Sequence, residues 1–308
     1  MIDILLATYN GARFLPDLLS SLAQQTYQNF TIRALDDGST DETTSVLTAF
    51  AGKHPGKLKL EPQAGHTGDP SGNFYRLLGL SQGDYAMFCD QDDIWARDKI
   101  RLSLREMQRL EEQDPLRPIL VHTDLEVVDA DLRCLSHSFM HYENLDPRFR
   151  TLPRLVVQNN VTGCTILMNK ALRDMVRVPD EPVMYDWWLA LTASAFGEIS
   201  YLKDATVLYR QHGSNVVGAS NVRSAGYAAS RLASGEGRRS LQQTYRTAGC
   251  FLRCYTDILS ASQQDFLGQY ADLGSAGFFQ RLRLLTRHRA YKKGLARKFG
   301  QLVLGRTE

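Results

Sequence analysis

Asp90 and Asp92 stand two residues apart at the end of the short apolar run from Tyr85 to Cys89. On an extended strand alternate side chains share a direction, so both carboxylates can reach one point. Hard oxygen ligands so placed suit Mg²⁺ or Mn²⁺ clamped to a diphosphate, although a lone Asp-x-Asp is common and solvated acids at a strand end have the same pattern. Another carboxylate, Asp37, follows the run from Phe30 to Leu35. Ionised, it can accept the imide N–H of uracil or thymine, a donor that adenine and cytosine lack, and Tyr9 could stack on such a base. The string Asp37-Gly38-Ser39-Thr40-Asp41 equally suits a turn leading into a helix, with Asp41 as its cap.

These residues need strands to end where they stand. Ile2 to Ala7, Phe30 to Leu35, Lys57 to Glu61 and Tyr85 to Cys89 read as strands. Helices fill the gaps. Phe14, Leu18, Leu19 and Leu22 share one helical face; Asp41 can cap a helix ending before Gly52; Asp98 can cap one through Glu111 that buries Ile100, Leu104, Met107 and Leu110. The result is α/β, a doubly wound, mostly parallel, Rossmann-like sheet whose ligands bind beyond the carboxyl ends of the strands. Three loops then meet: Thr8-Tyr9-Asn10-Gly11, Asp36 to Asp41, and Asp90-Gln91-Asp92-Asp93. Further strands are expected at Ile119 to Val128, Val161 to Met168, Ile199 to Leu202 and Thr206 to Tyr209, with a helix after Asp186. Ser214 to Gly237, rich in Gly, Ser, Ala and Asn, reads as a mobile linker to a helical end.

Composition narrows the chemistry. The chain has 308 residues, 43% hydrophobic and 23% charged, which excludes disorder and collagen. Neither G-x-G-x-x-G nor G-x-x-x-x-G-K-[ST] follows the first strand, which argues against a dinucleotide dehydrogenase or a P-loop enzyme. The five cysteines, Cys89, Cys134, Cys164, Cys250 and Cys254, have no framework spacing and read as reduced thiols. There is no apolar run long enough to span a bilayer and no basic leader before Ile2, so the expected location is cytoplasmic.

The motifs together resemble the inverting family-2 glycosyltransferases of the GT-A fold. Ala-Thr-Tyr-Asn-Gly after strand one, Gln-Gln-Thr-Tyr after the first helix, Asp-Asp-Gly-Ser-Thr-Asp, and Cys-Asp-Gln-Asp-Asp-Ile-Trp before Asp98-Lys99-Ile100 carry the resemblance over residues 2 to about 112. The last motif is similar to that of the bacterial rhamnosyltransferase-like branch. More loosely, Gly163-Cys164-Thr165, Tyr185 to Leu189 and Tyr209 to Asn215 continue it. The resemblance implies a GT-A domain over residues 1–215, with a nucleotide-binding half at 1–112 and an acceptor-binding half at 113–215, then a helical basic region at 216–308. It further implies that Tyr9 and Asp37 hold the base, with Thr8, Asn10 and Gln91 in the same donor loops. Asn73 would lie near the nucleotide, though it could equally be a helix-start residue, with Asp90 near the ribose and diphosphate and Asp92 on the metal. Asp186 matches the family's general base, which takes the acceptor hydroxyl's proton, and it also suits a helix N-cap. His212 would complete the metal site and favour Mn²⁺, or else contact the diphosphate or make a structural hydrogen bond. Arg210 would neutralise the diphosphate or form a surface ion pair. His122-Thr123-Asp124 is a further pocket candidate by topology alone.

The expected reaction moves a sugar, rhamnose by resemblance, from a dTDP- or UDP-linked donor to a glycan or lipid-linked acceptor in bacterial surface polysaccharide synthesis. The rivals are a sugar-nucleotide pyrophosphorylase and a non-catalytic glycan- or lipid-binding module. Between residues 273 and 307 there are nine basic residues and no acid, interleaved with Phe278, Phe279, Leu282, Leu284, Leu285, Leu295, Phe299, Leu302 and Val303. That pattern suits an anionic membrane surface through residues 276–308, placing the protein peripherally on the inner face. A terminal helix packed on the core with a solvated basic face is the plainer alternative. No nucleic-acid motif accompanies the charges, so nucleic acid is not an expected partner.

Overall fold

In the computed structural model, residues 1–62, 66–212 and 235–304 are described. Most of the expected linker, and Arg306, lie outside them. The first strand, β1 (Ile2–Thr8), is followed by α1 (Leu15–Ala23), β2 (Phe30–Asp36), α2 (Thr43–Lys53), β3 (Leu58–Leu60), α3 (Pro70–Leu80) and β4 (Tyr85–Asp90). Helical crossovers let β1 to β4 pair in parallel, in the order β3-β2-β1-β4. The chain winds outward from β1 to β3 and then returns to the other side of β1. Between β1 and β4 the direction of winding reverses, and that is where such sheets open a crevice. Both strands are apolar and buried, as a sheet covered on two faces requires. Asp3 is the buried exception; it accepts from Arg33, Ser81, Gln82 and Gly83 and so ties β1, β2 and the approach to β4 together.

Beyond β4 the sheet is mixed. β5 (Ile94–Trp95), α4 (Lys99–Glu111), β6 (Ile119–Val128), β7 (Cys134–Ser136), β8 (Leu167–Asn169), α7 (Lys170–Met175), α8 (Tyr185–Phe196) and β9 (Glu198–Arg210) follow, with the short helices α5 (Phe139–Tyr142) and α6 (Leu152–Leu155) between β7 and β8. β8 runs antiparallel to β4 and β6, and β9 parallel to β6. Two expectations need correction here. Val161 to Met168 is not one strand: Gly163–Thr165 forms a 3₁₀ turn and only Leu167–Asn169 pairs. At Gly163 a Cβ would lie 1.8 Å from Tyr185 Oη, so this apolar stretch is buried by close approach to α8 rather than by sheet pairing. Ile199 to Leu202 and Thr206 to Tyr209 are in turn one strand, the interruption being absorbed by register shifts opposite Thr123 and Asp124. All five cysteines are free thiols.

The described chain divides into two compact units. The first takes Met1–Phe139, Val161–Val176 and 184–212; the second takes Met140–Asn160, Arg177–Val183 and 235–304. Two segments that the sequence reading kept with the sheet thus belong with the terminal helices. Those helices are α9 (Glu236–Tyr255), α10 (Ala261–Ala271), α11 (Phe278–Arg287) and α12 (Leu295–Val303). Phe251, Tyr255, Phe266 and Tyr270 form the aromatic interior of the second unit. Its described basic residues from Arg281 to Lys298 divide into two sets. Arg281, Lys292, Lys293 and Arg297 bond to Ala276, Ser240, Leu145, Asn144 and Glu143 within the unit, whereas Arg283, Arg287, Arg289 and Lys298 are exposed. Leu284 and Leu285 are buried, yet Phe278, Phe279, Leu282, Leu295, Phe299 and Val303 face outward.

Candidate active site

The loop after β1 is held rigidly before any ligand arrives. Thr8 Oγ1 donates to Asp36 at 2.9 Å, and the Asp37 N–H donates to the Thr8 carbonyl at 2.8 Å. Asn10 adopts φ 46°, and its side-chain oxygen accepts from the Thr40 N–H at 2.8 Å. Gln91 grips Tyr9 by its backbone, accepting its N–H and donating to its carbonyl, both at 2.9 Å. A Cβ on Gly11 would lie 2.2 Å from Gln91 Oε1, so that grip needs glycine there. With its amide spent on Tyr9, Gln91 acts as a brace between the first and third loops. The Tyr9 ring is exposed and stacks on His66 with centroids 5.0 Å apart.

The two aspartates after β2 divide the roles that the sequence left open for one of them. Asp36 makes the turn, accepting the N–H groups of Gly38 and Ser39 at 3.2 and 2.8 Å. Asp37 is buried and receives the Thr67 and Gly68 N–H groups at 2.8 and 3.0 Å, besides the Thr67 hydroxyl. Burial pushes the Asp37 carboxyl up, but these donors and the Asn73 side chain hold it below the ordinary carboxylate value. Asn73 lies within α3, buried against Thr67, while Asp69 caps that helix through Ser71. Asp41 is not the cap expected of it: the cap residue is Glu42, and Asp41, one position earlier, accepts the Thr43 N–H at 3.0 Å, while α2 runs past Gly52 to Lys53.

At the end of β4 the carboxylates converge. Asp90 is pushed up to about 7 by burial first, and then by the negative charges of Asp92 and Asp186. Asp93 is fully buried; its Oδ1 accepts the Arg210 N–H at 3.3 Å while its Oδ2 has no hydrogen-bond partner. Burial, with Asp92 and Asp90 close by, drives its carboxyl far up. Asp92 Oδ2 lies 2.7 Å from His212 Nε2. The His212 ring stacks on Phe14 at 4.7 Å, and the Arg210 guanidinium covers the same ring at 4.7 Å. Arg210 itself is buried, with its fork engaged by the Asp92 and Ala130 carbonyls and by Asp17 at 3.0, 2.9 and 3.0 Å. Of the two sequence expectations for Arg210, the ion pair is present, with Asp17, but Arg210 makes it from a buried position as an internal strut that joins β9 to the loop after β4 and to α1.

Asp186 occupies the second position of α8, after the cap residue Met184, so it is not an N-cap. Its carboxylate accepts the Trp187 N–H at 2.5 Å and that of Gly163. Burial pushes it up to about 7 against the pull of those two donors. Phe74 and Phe88 pack on Tyr185 at 4.2 and 5.0 Å and anchor the start of this helix, and Trp188 is core. His122, Thr123 and Asp124 are scaffold: the His122 ring packs on Tyr201, Thr123 bonds Thr206, and Asp124 receives Ser138, Phe139 and Tyr201.

Residues 3–173 match the model of the family described as glycosyl transferase family 2. The chain belongs to glycosyltransferase family 2. As a member of that family it is a glycosyltransferase, so the pyrophosphorylase and non-catalytic readings fall away. Among curated relatives, the dTDP-rhamnosyl transferase RfbG of Shigella flexneri is 28% identical over 70% of this chain and 74% of its own length. The Staphylococcus aureus protein TarS 1-349, solved in complex with UDP-GlcNAc, shares the fold with a TM-score of 0.59 at 16% identity, over 88% of this chain and 71% of that one. The mannosyltransferase PcManGT of Pyrobaculum calidifontis, solved with GDP-Man and Mn²⁺, gives 0.52 at 18% identity, over 94% and 74%.

Within the transferase several site residues escaped the sequence reading. Phe14 looked like a core position because its spacing matches the apolar face of α1, whereas it ends as the platform under His212. His66 stands in a stretch with no pattern. Asp93 was visible as a third acid in the Asp-Gln-Asp-Asp run, but its burial was not.

Proposed function

We propose that the transferase is metal-dependent and inverting, and that it moves a sugar, rhamnose in the first instance, from a dTDP- or UDP-linked donor to a hydroxyl of a glycan or lipid-linked acceptor in bacterial surface polysaccharide synthesis. The observation that carries this reading is the convergence of Asp90, Asp92 and Asp93 on one strand end, with His212 on Asp92 and Asp186 close enough to raise Asp90. Carboxylates gathered at one strand end repel one another beyond what Lys99 and His212 offset, and a cation would relieve that repulsion and give the buried Asp93 Oδ2 a partner. Donors of this kind fit Mn²⁺ or Mg²⁺ held by Asp92 and His212, with the imidazole tilting the preference to Mn²⁺. When bound, the ion would stabilise the charge of the departing diphosphate.

The protein's own groups would do the rest. Asp186 accepts the proton of the acceptor hydroxyl as the new C–O bond forms on one face of the sugar, while the bond to the diphosphate breaks on the other and the anomeric centre inverts. A base near pH 7 is well matched to that work. Asp37 and the exposed Tyr9 ring would hold the base, the carboxylate through Oδ2, which takes the Gly68 N–H while Oδ1 takes both the N–H and the hydroxyl of Thr67. The relative RfbG supports a deoxythymidine diphosphate donor.

No helix among the described residues is long and apolar enough to cross a membrane. A peripheral location on the cytoplasmic face, through residues 276–308 on anionic lipid, is supported by Phe279 and Phe299, 81% and 69% exposed, beside the outward Arg283, Arg287, Arg289 and Lys298.

A panel of nucleoside-diphosphate sugars with Mn²⁺, followed by product mass and anomeric configuration, tests the reading. Transfer from dTDP-rhamnose that stops in chelator and in Asp92→Ala is the expected result. Full turnover of that variant in excess chelator would end the metal assignment, and a retained anomeric configuration would end the inverting one.

A further inference from the structure

A second cluster of ligating side chains stands on the hairpin formed by β6 and β7. Cys134 and His137 are three residues apart, a spacing that puts side chains on opposite faces of a regular strand. In this hairpin Val128 pairs with Cys134 but Val127 pairs with Ser136, so one residue, Leu135, is skipped. The bulge turns the following residues over, and the next position, His137, comes opposite Glu126 instead of facing away from it. Glu126, Val128 and their partners then share one face. His137 Nδ1 lies 3.3 Å from Glu126 Oε2 and 3.4 Å from Cys134 Sγ, and all the ligating atoms lie within 4.8 Å of one another.

We propose that Glu126, Cys134 and His137 form a zinc-binding site, with the fourth position left to water. A tetrahedral zinc at ordinary bond lengths sets sulfur and imidazole nitrogen about 3.6 Å apart, and nitrogen and carboxylate oxygen about 3.4 Å apart. Both observed separations fall within about 0.2 Å of these, so little movement would bring the ligands onto an ion. Thiolate, imidazole and carboxylate together select a borderline-soft divalent ion over Mg²⁺. The site needs no folding step, because the hairpin tip is already tied by Asp129, whose side chain accepts the N–H groups of Asp131 and Arg133 at 2.9 Å each. In the metal-free protein the Cys134 thiol donates to Glu126, which holds it protonated. Binding replaces that hydrogen: a sulfur–zinc bond forms, one proton leaves to solvent, and the charges of thiolate, carboxylate and ion cancel. His137 is 86% exposed, so the ion has an open approach.

The test uses the full chain, stripped by chelator, with Co²⁺ as probe and no donor sugar. One equivalent of Co²⁺ should release one proton and give a thiolate-to-metal charge-transfer band in the near ultraviolet, which Zn²⁺ but not Mg²⁺ displaces without further proton release. Cys134→Ser should abolish that band at unchanged melting temperature. Cys250→Ser with Cys254→Ser, which removes a separate Asp-Cys-Cys cluster, should leave it. Loss of a ligand in His137→Ala should weaken Zn²⁺ by at least the about tenfold that a lost supporting contact costs. An unchanged band in Cys134→Ser, or a wild-type chain that takes up no Zn²⁺ beyond what Cys134→Ser takes up, would overturn the proposal. Failure here leaves the transferase reading untouched.

Discussion

At the carboxyl ends of β1, β2 and β4, like charges are gathered inward. Asp90 and Asp93 are held up by burial and by neighbouring carboxylates and Asp186 by burial, while His212 meets Asp92 and the buried Lys99 is near enough to act on Asp93. In the helices α11 and α12, like charges are instead dispersed outward, and large apolar side chains go with them. The first arrangement stores an unfavourable interaction that a bound cation would relieve, whereas the second stores almost none because solvent screens it. The contrast separates groups whose removal should alter chemistry from groups whose removal should alter location.

The sharpest way to break that contrast is Asp186→Asn. The variant keeps an oxygen for the Trp187 and Gly163 N–H groups, so stability and donor affinity should hold while transfer falls by about 100-fold or more. Wild-type kcat should rise with pH through about 7 as the carboxylate loses its proton, and the Asn variant should lose that limb. An intact rate in Asp186→Asn would return the residue to the scaffold.

Next in size is Phe14→Leu. It leaves the ligands in place but removes the ring that orients His212, and should weaken Mn²⁺ by about 10-fold, the cost typical of a lost supporting contact. Phe14→Tyr should restore binding. Equal Mn²⁺ affinity in all three proteins, measured by calorimetry, would mean the stacking has no bearing on the site.

A smaller effect concerns stability in the absence of metal. The folded-state values of Asp90 and Asp186, about 7, lie above the usual 3.8, so the folded chain binds more protons than the unfolded chain over that interval. Stability should therefore fall as pH rises from about 4 to about 7, and Asp90→Asn should flatten the dependence. A melting temperature in chelator that climbs over this range would contradict the burial of these charges.

The least effect on folding is expected in the tail. Phe279→Glu with Phe299→Glu touches only exposed side chains and should shift stability by less than about 0.5 kcal/mol, yet reduce sedimentation with acidic vesicles at low salt. Point changes are the right probe, because deleting residues 276–308 would also remove Lys293 and Arg297, which bond to Leu145, Asn144 and Glu143 of the same unit. Unaltered vesicle binding by the double variant would drop the membrane from the account.

Local sequence determined the first four strands, their helices and the three loops at one sheet end, because strand period, helix period and turn residues are short-range signals. It also placed Asp90, Asp92 and Asp37 at strand ends, where alternation and loop chemistry confine them. Tertiary structure decided the rest. Asp36 and Asp37 are neighbours of one type, and only the arrival of Thr67 and Gly68 separates the turn-maker from the buried acceptor. Arg210 and His212 are close in sequence, yet one becomes a strut and the other meets Asp92, because β9 is laid beside β6 and runs back past β4's loop. Cys134 and His137 come to share a face through a single skipped pairing. Each of these outcomes depends on which distant backbone donor or ring fills the space beside a side chain, and a residue's own neighbours in the chain carry no record of that.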